Sequence, residues 1–161
     1  RRSTGRSDVE QRYFDEVDIG DEFEEQQTPT SEDVQAFFSL TAAASNTKGA
    51  RRGPGDGRFE SKEGAKSVGL DSPIIPGNMS FSMMSRLVTD WAGMEGRMHS
   101  LDVSFRRPVH HNDVLTLQAL VTDTTDDDEG PRVKLDVYME NERGERPVQG
   151  TAVVELPRRS A

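Results

Sequence analysis

The stretch from Ser72 to Ala92, SPIIPGNMSFSMMSRLVTDWA, constrains the fold more than any other part of the chain. Pro76 and Gly77 interrupt the backbone pattern. Met83, Met84, Leu87, Val88 and Trp91 then recur at the three-to-four-residue spacing of one apolar helical face. The spacing predicts a buried helix that opens at Gly77. The first turn of such a helix leaves backbone N–H groups without intrahelical acceptors, so it can hold an oxygen that carries negative charge. Gly77 has no side chain and would let a ligand come close to the amides of Gly77, Asn78 and Met79. Two readings stand here side by side: an ordinary core helix behind a Pro-Gly turn, and an oxyanion site.

Around that helix the chain divides into one further helical half and one strand-rich half. Tyr13 to Glu25 alternates apolar and acidic positions about an Ile19-Gly20-Asp21 turn, which predicts a short strand or extended arm. Thr30-Ser31-Glu32-Asp33 reads as a helix cap with acids in the first turn, leading into Val34, Phe37, Phe38 and Leu40 over about three turns. A small helix is expected near Ser61 to Val68. After the main helix come four alternating runs, at Leu101–Phe105, Val114–Val121, Val133–Tyr138 and Val148–Val154. Turn chemistry separates them at Pro108–Asp113, in the acidic run Asp126–Pro131 and at Asn141–Gly144. Consecutive antiparallel hairpins beside a segregated helix predict an α+β layer structure and not a doubly wound sheet.

Composition narrows the function classes. With 32% hydrophobic against 30% charged residues, the 161-residue chain is lean for a monomer, which favours a core completed across a subunit interface. A net charge of −9 disfavours non-specific binding to nucleic acid or to an anionic membrane. Absence of cysteine excludes disulfides and thiolate zinc sites. No apolar run approaches the roughly 18 residues that span a bilayer, and no secretory signal is visible, so a cytoplasmic protein is expected.

The segment Ser45 to Gly57, SNTKGARRGPGDG, predicts a loop. Between Lys48 and Lys66 six basic residues face three acidic ones, a local sign opposite to that of the whole chain. A solvated loop and a clamp for the phosphates of a nucleotide-like ligand both fit this excess.

Three anchors, YFDEVDIGDEF, GLDSPIIPGNMSFSMMSRLVTDW and LDVSFRRPVHHNDVL, stand in an order and spacing that resemble the MaoC-like, or R-specific enoyl-CoA hydratase, branch of the hotdog superfamily. The resemblance covers roughly Tyr13 to Pro157, with tails of 1–12 and 158–161 flanking a single domain of 13–157. It implies an antiparallel sheet wrapped round a long helix, protomers paired edge to edge as a homodimer or a heterodimer with another hotdog subunit, and an acyl-CoA or acyl-carrier-protein thioester between them, with no cofactor or metal. It further implies a hydratase or dehydratase, a lyase of fatty acid metabolism, in which an Asp and a His about five residues apart move protons while the helix-start amide polarises the thioester carbonyl. That amide maps onto Gly77, after a Pro76 that stands where many relatives carry a histidine.

The acid–base pair does not map. Ala42, Ala43 and Ala44 occupy the place of the Asp in one register, and Phe59 falls at the place of the His in the other. Loss of one such group costs about 10²–10⁴ in rate, so hydration through this pair is expected to be weak or absent. Asp56, between Gly55 and Gly57 and close to Arg58, is the candidate replacement carboxylate, set against a plain turn Asp. Asn46 can bind a carbonyl or orient a water; Asn78 can cap the helix or touch substrate; Met79 belongs to the core or to an acyl tunnel. With Arg58, Phe59 and Pro76 these make up the expected binding residues. His110 and His111 read as turn residues, and His99 lies where it could border the cleft. Two further functions stay open: a non-catalytic subunit of a hetero-oligomeric hydratase, and a thioesterase that uses Asp56, Glu60 or Glu63 against the same helix start.

Overall fold

The computed structural model describes residues 10–44 and 57–159. After a single 3-10 turn at Phe14–Glu16 come strand β1 (Glu22–Gln27), helix α1 (Ser31–Ala44), the short helix α2 (Lys62–Ser67) and the long helix α3 (Gly77–Ala92). Strands β2 (Arg97–Phe105), β3 (Leu115–Asp127), β4 (Gly130–Glu140) and β5 (Val148–Glu155) complete the chain. They form one antiparallel sheet in the order β1-β3-β4-β5-β2, the α+β arrangement expected from the sequence.

Alternation along the three central strands decides which face covers α3. Leu115, Leu117, Ala119 and Val121 of β3, Val133, Leu135, Val137 and Met139 of β4, and Val148, Ala152 and Val154 of β5 are all buried. Against them α3 buries Met83, Met84, Leu87, Val88 and Ala92, each large side chain contributing about 1.5–3 kcal/mol. Trp91, on the same stripe, stacks on Phe23 of β1 with ring centroids 4.7 Å apart, tying the helix to the far edge of the sheet. On the other side Gly150 of β5 is required by packing. A Cβ there would meet the Asp102 carbonyl oxygen of β2 at 1.9 Å.

Local signals set the helix starts. Thr30 accepts from the Asp33 N–H at 3.2 Å while the Asp33 carboxylate accepts from the Thr30 N–H at 2.9 Å, a reciprocal cap for α1. Ser61 accepts from the Gly64 N–H at 3.0 Å and caps α2. Two boundaries differ from the sequence expectation. The segment 13–25 divides into a 3-10 turn and a strand, since Asp21 N–H closes a tight turn on Asp18 carbonyl before β1 begins. The acidic run at 126–129 belongs half to β3, where Asp126 and Asp127 pair with Pro131 and Gly130 and only Asp128 and Glu129 make the tip. No helix among the described residues is long and apolar enough to cross a membrane.

Candidate functional site at the mouth of α3

Helix α3 begins without a side-chain cap. Pro76, with φ −67° and ψ 147°, is extended and offers no capping donor or acceptor beyond its carbonyl. That carbonyl accepts from Met79 N–H at 3.0 Å and Ser80 N–H at 3.3 Å. Among the described residues nothing accepts from the N–H groups of Gly77 and Asn78, and no acidic residue lies in the first turn. Two donors at the positive end of a 16-residue helix are therefore left open.

Gly77 lines a cleft of about 420 Å³, whose walls include Phe59, Ile75, Ser80, Phe105 and Val109, and Asn78 follows it just outside the lining. Ile75 and Val109 are buried and joined by an N–H to carbonyl bond of 2.8 Å, so this wall is fixed by backbone as well as packing. Phe105, the last residue of β2, is half exposed and stands opposite Gly77. A Cβ on Gly77 would lie 3.8 Å from the Phe105 ring, an ordinary contact. The fold itself does not demand glycine at 77; what the missing side chain leaves is open approach to the amides. Arg58, Arg106 and Arg107 line the same cleft, and the lining contains neither a carboxylate nor a histidine among the described residues.

A second cleft of about 430 Å³ shares Arg107 and Pro108 with the first and is polar. His110 Nδ1 lies 2.7 Å from Ser72 Oγ and 3.1 Å from the Ser72 carbonyl. Buried Asp113 accepts from the His110 N–H at 2.9 Å and from Arg143 Nη1 at 3.2 Å. Glu145 accepts from Asn141 at 2.8 Å and from Arg143 at 3.2 Å, and these bonds, Asn141 first, hold its carboxyl below the usual carboxylate range. Hydrogen bonding to Asp113 in turn raises the Arg143 guanidinium. His111 Nε2 is buried with no partner.

The residues expected from the sequence separate into three groups. Arg58, Phe59 and Gly77 line the apolar cleft, and the Phe59 ring packs 5.8 Å from that of Phe38 on α1. Pro76 is buried behind it, Asn78 is exposed beside it with its amide open, and Met79 packs half-buried against the core. The Met79 amide, counted as open in the sequence, is committed to the Pro76 carbonyl because the first turn tightens there. Asp56 and Asn46 lie outside the described residues. His99 does not border the cleft. It sits on β2 with Nε2 2.7 Å from Glu155 on β5, a cross-strand pair that holds the Glu155 carboxyl below its usual range. Glu60 and Glu63 are exposed and absent from the lining. Sequence reasoning missed Ser80, Phe105, Arg106 and Arg107. A serine in a helical pattern reads as solvent-facing, and a strand-end FRRP gives no sign that it turns towards a helix start 28 residues earlier.

A comparison with the curated proteins returned no match. Among solved structures, the (R)-hydratase from A. caviae involved in PHA biosynthesis aligns over 88% of this chain and 98% of its own, with 22% identity and a TM-score of 0.71. An R-hydratase from Pseudomonas aeruginosa in the unliganded form aligns over 91% and 86%, with 19% identity and a TM-score of 0.74. The ChsH1-ChsH2 complex from Mycobacterium tuberculosis aligns over 87% and 98%, with 17% identity and a TM-score of 0.70. At these identities the likeness establishes the hotdog fold. The family model for the MaoC like domain matches residues 61–142, which span α2, the open mouth of α3 and the first three strands after it. This chain belongs to the MaoC-like dehydratase family.

Proposed function

We propose that the protein binds an acyl thioester, carried by coenzyme A or by an acyl carrier protein, with the thioester carbonyl seated on the Gly77 and Asn78 amides. The observation that carries this reading is the pair of unpartnered N–H groups at the start of α3, beside an apolar cleft that Gly77 lines. An acyl chain matches Ile75, Phe105 and Val109, gaining about 0.8 kcal/mol per buried methylene. A carbonyl oxygen matches the amides, whose alternative when a chain fills the cleft is to lose water without replacement. Arg58, Arg106 and Arg107 supply positive charge for the phosphates of a carrier. The cytoplasm is the expected compartment for such a ligand.

By lineage the associated chemistry is hydration of an enoyl thioester, or the reverse dehydration. Water must lose a proton as it attacks the β-carbon, and the α-carbon must gain one. The described lining supplies a seat for the carbonyl, and Asp56, the candidate acid–base group, lies outside the described residues. Glu60 and Glu63 are exposed and away from the lining, which leaves hydrolysis by either without support. Calorimetric titration of the chain with crotonyl-CoA and a longer enoyl-CoA tests the proposal. Binding of at least one thioester is expected, and no heat with either would overturn it.

A second reading, a non-catalytic subunit of a hetero-oligomeric hydratase, draws on the neighbour solved as a two-chain complex and on β2. That strand forms one edge of the sheet, has no neighbour on its outer side among the described residues, and ends at Phe105 beside the cleft. Backbone pairing there would bring a second subunit next to the thioester. Co-purification with a second hotdog chain that carries the Asp and His supports this assignment; robust hydratase turnover by a homodimer excludes it.

A further inference from the structure

Three polar or charged residues are buried among those described: Ser80, Asp113 and Asn141. Asp113 bonds the His110 N–H and Arg143, and Asn141 bonds Glu145 and Arg143. Ser80 differs. It is 3% exposed, and its hydroxyl has no hydrogen-bond partner among the described residues. Its Oγ is not among the fully buried side-chain atoms without a partner, so the hydroxyl keeps an opening although the residue as a whole is buried. Ser82, two residues on, bonds back to the Asn78 carbonyl at 2.9 Å, the usual resort of a helical serine. Ser80 makes no such bond to the Pro76 carbonyl, which already accepts from the backbone of Met79 and Ser80.

Position explains what the free hydroxyl is for. Helical side chains lean towards the N-terminus, so a residue one turn into α3 reaches back over the turn that starts at Gly77. Ser80 also lines the apolar cleft, together with Gly77. We propose that Ser80 Oγ–H is a third donor to the ligand oxygen held by the Gly77 and Asn78 amides, making a three-donor seat for a thioester carbonyl. The proposal rests on the acyl-thioester reading and adds to it the side chain that places the carbonyl. The hydroxyl has no protein partner among the described residues of the free chain and keeps access to the cleft, so a ligand oxygen can take the place of water there and Ser80 adds affinity when the ligand arrives.

Loss of affinity without loss of stability separates a ligand contact from a packing role. Ser80→Ala removes a hydroxyl that has no protein partner among the described residues, so the Tm of the unliganded chain is expected to stay level, while affinity for crotonyl-CoA falls about 5–10-fold, the measure of one neutral hydrogen bond. Infrared spectra with the thioester carbonyl labelled with ¹³C provide the signature that packing alone would not move. On the wild type the labelled band is expected to shift to lower frequency on binding; in Ser80→Ala part of the shift is lost, and in Ser80→Thr it is kept. Unchanged affinity and an unchanged band in Ser80→Ala would overturn the role of Ser80 and leave the wider reading standing. A lowered Tm with unchanged affinity would overturn it in favour of packing. A wild-type band that does not shift although the thioester binds, or no binding at all, would overturn the seat at the mouth of α3 as well.

Discussion

Arg107 and Pro108 separate two clefts of almost the same volume, about 430 and about 420 Å³, whose polar groups are in opposite states. In the first, Asp113, Arg143, Glu145 and Asn141 bond one another, Ser72 bonds His110, and His111 Nε2 alone is buried without a partner. In the second, two backbone amides and one hydroxyl are left open against apolar walls. A network whose members satisfy one another has spent its hydrogen bonds on the fold; here it fastens the segments about Ser72, His110 and Asn141. Donors left open beside hydrocarbon suit the proposed ligand, which brings both an oxygen and an apolar chain. Counting titratable groups would have favoured the first cleft, and counting unmet hydrogen bonds favours the second.

The largest effect that sharpens this contrast is expected from Asp113→Ala. It deprives the His110 N–H and Arg143 of an acceptor at a buried site, costing about 2 kcal/mol of stability by chemical denaturation. Thioester affinity of the folded fraction should stay within about twofold, and a large loss of affinity would break the separation of roles. Next, Phe105→Ala removes a half-exposed wall of the apolar cleft. Stability is expected to change by less than about 1 kcal/mol, because the ring is only partly buried, while enoyl-CoA binding weakens about 3–10-fold.

The smallest effect is with pH. Hydrogen bonds from Asn141 and Arg143 to Glu145, and from His99 to Glu155, hold both carboxyls below the ordinary value of 4.5 in the folded chain. A carboxylate with a depressed folded pKa adds stability in full above its unfolded pKa and loses it as pH falls through the folded one. Tm is therefore expected to decline slightly as pH drops below about 4.5, and the decline to shrink in Glu145→Gln and Glu155→Gln.

Much of the scaffold was legible in the sequence because it follows from periodicity. Met83, Met84, Leu87 and Val88 on one helical stripe and the alternation at Leu115–Val121 and Val133–Met139 each point to one face of one element. Of the cleft lining, Arg58, Phe59 and Gly77 were named from the sequence, Gly77 because a Pro-Gly pair marks a helix start. Ser80 was hidden because burial of a lone hydroxyl is a tertiary fact that periodicity does not carry. Phe105 and Arg106 reach the cleft through the placing of β2 at the sheet edge, which strand pairing decides and local sequence does not. His99 found its partner in Glu155, 56 residues away, for the same reason.

Gly77→Pro tests the central claim most directly. Proline is favoured at the first position of a helix, Pro76 already has the extended backbone that a following proline requires, and a Cβ at residue 77 meets Phe105 only at ordinary contact distance. The substitution therefore removes one N–H from the mouth of α3 while leaving the fold intact, which a Tm within a few degrees of wild type would establish. Titration with crotonyl-CoA is then expected to give affinity at least about tenfold weaker than wild type, the scale of a lost hydrogen bond of about 1.4 kcal/mol. Wild-type affinity in a folded Gly77→Pro protein would contradict the account.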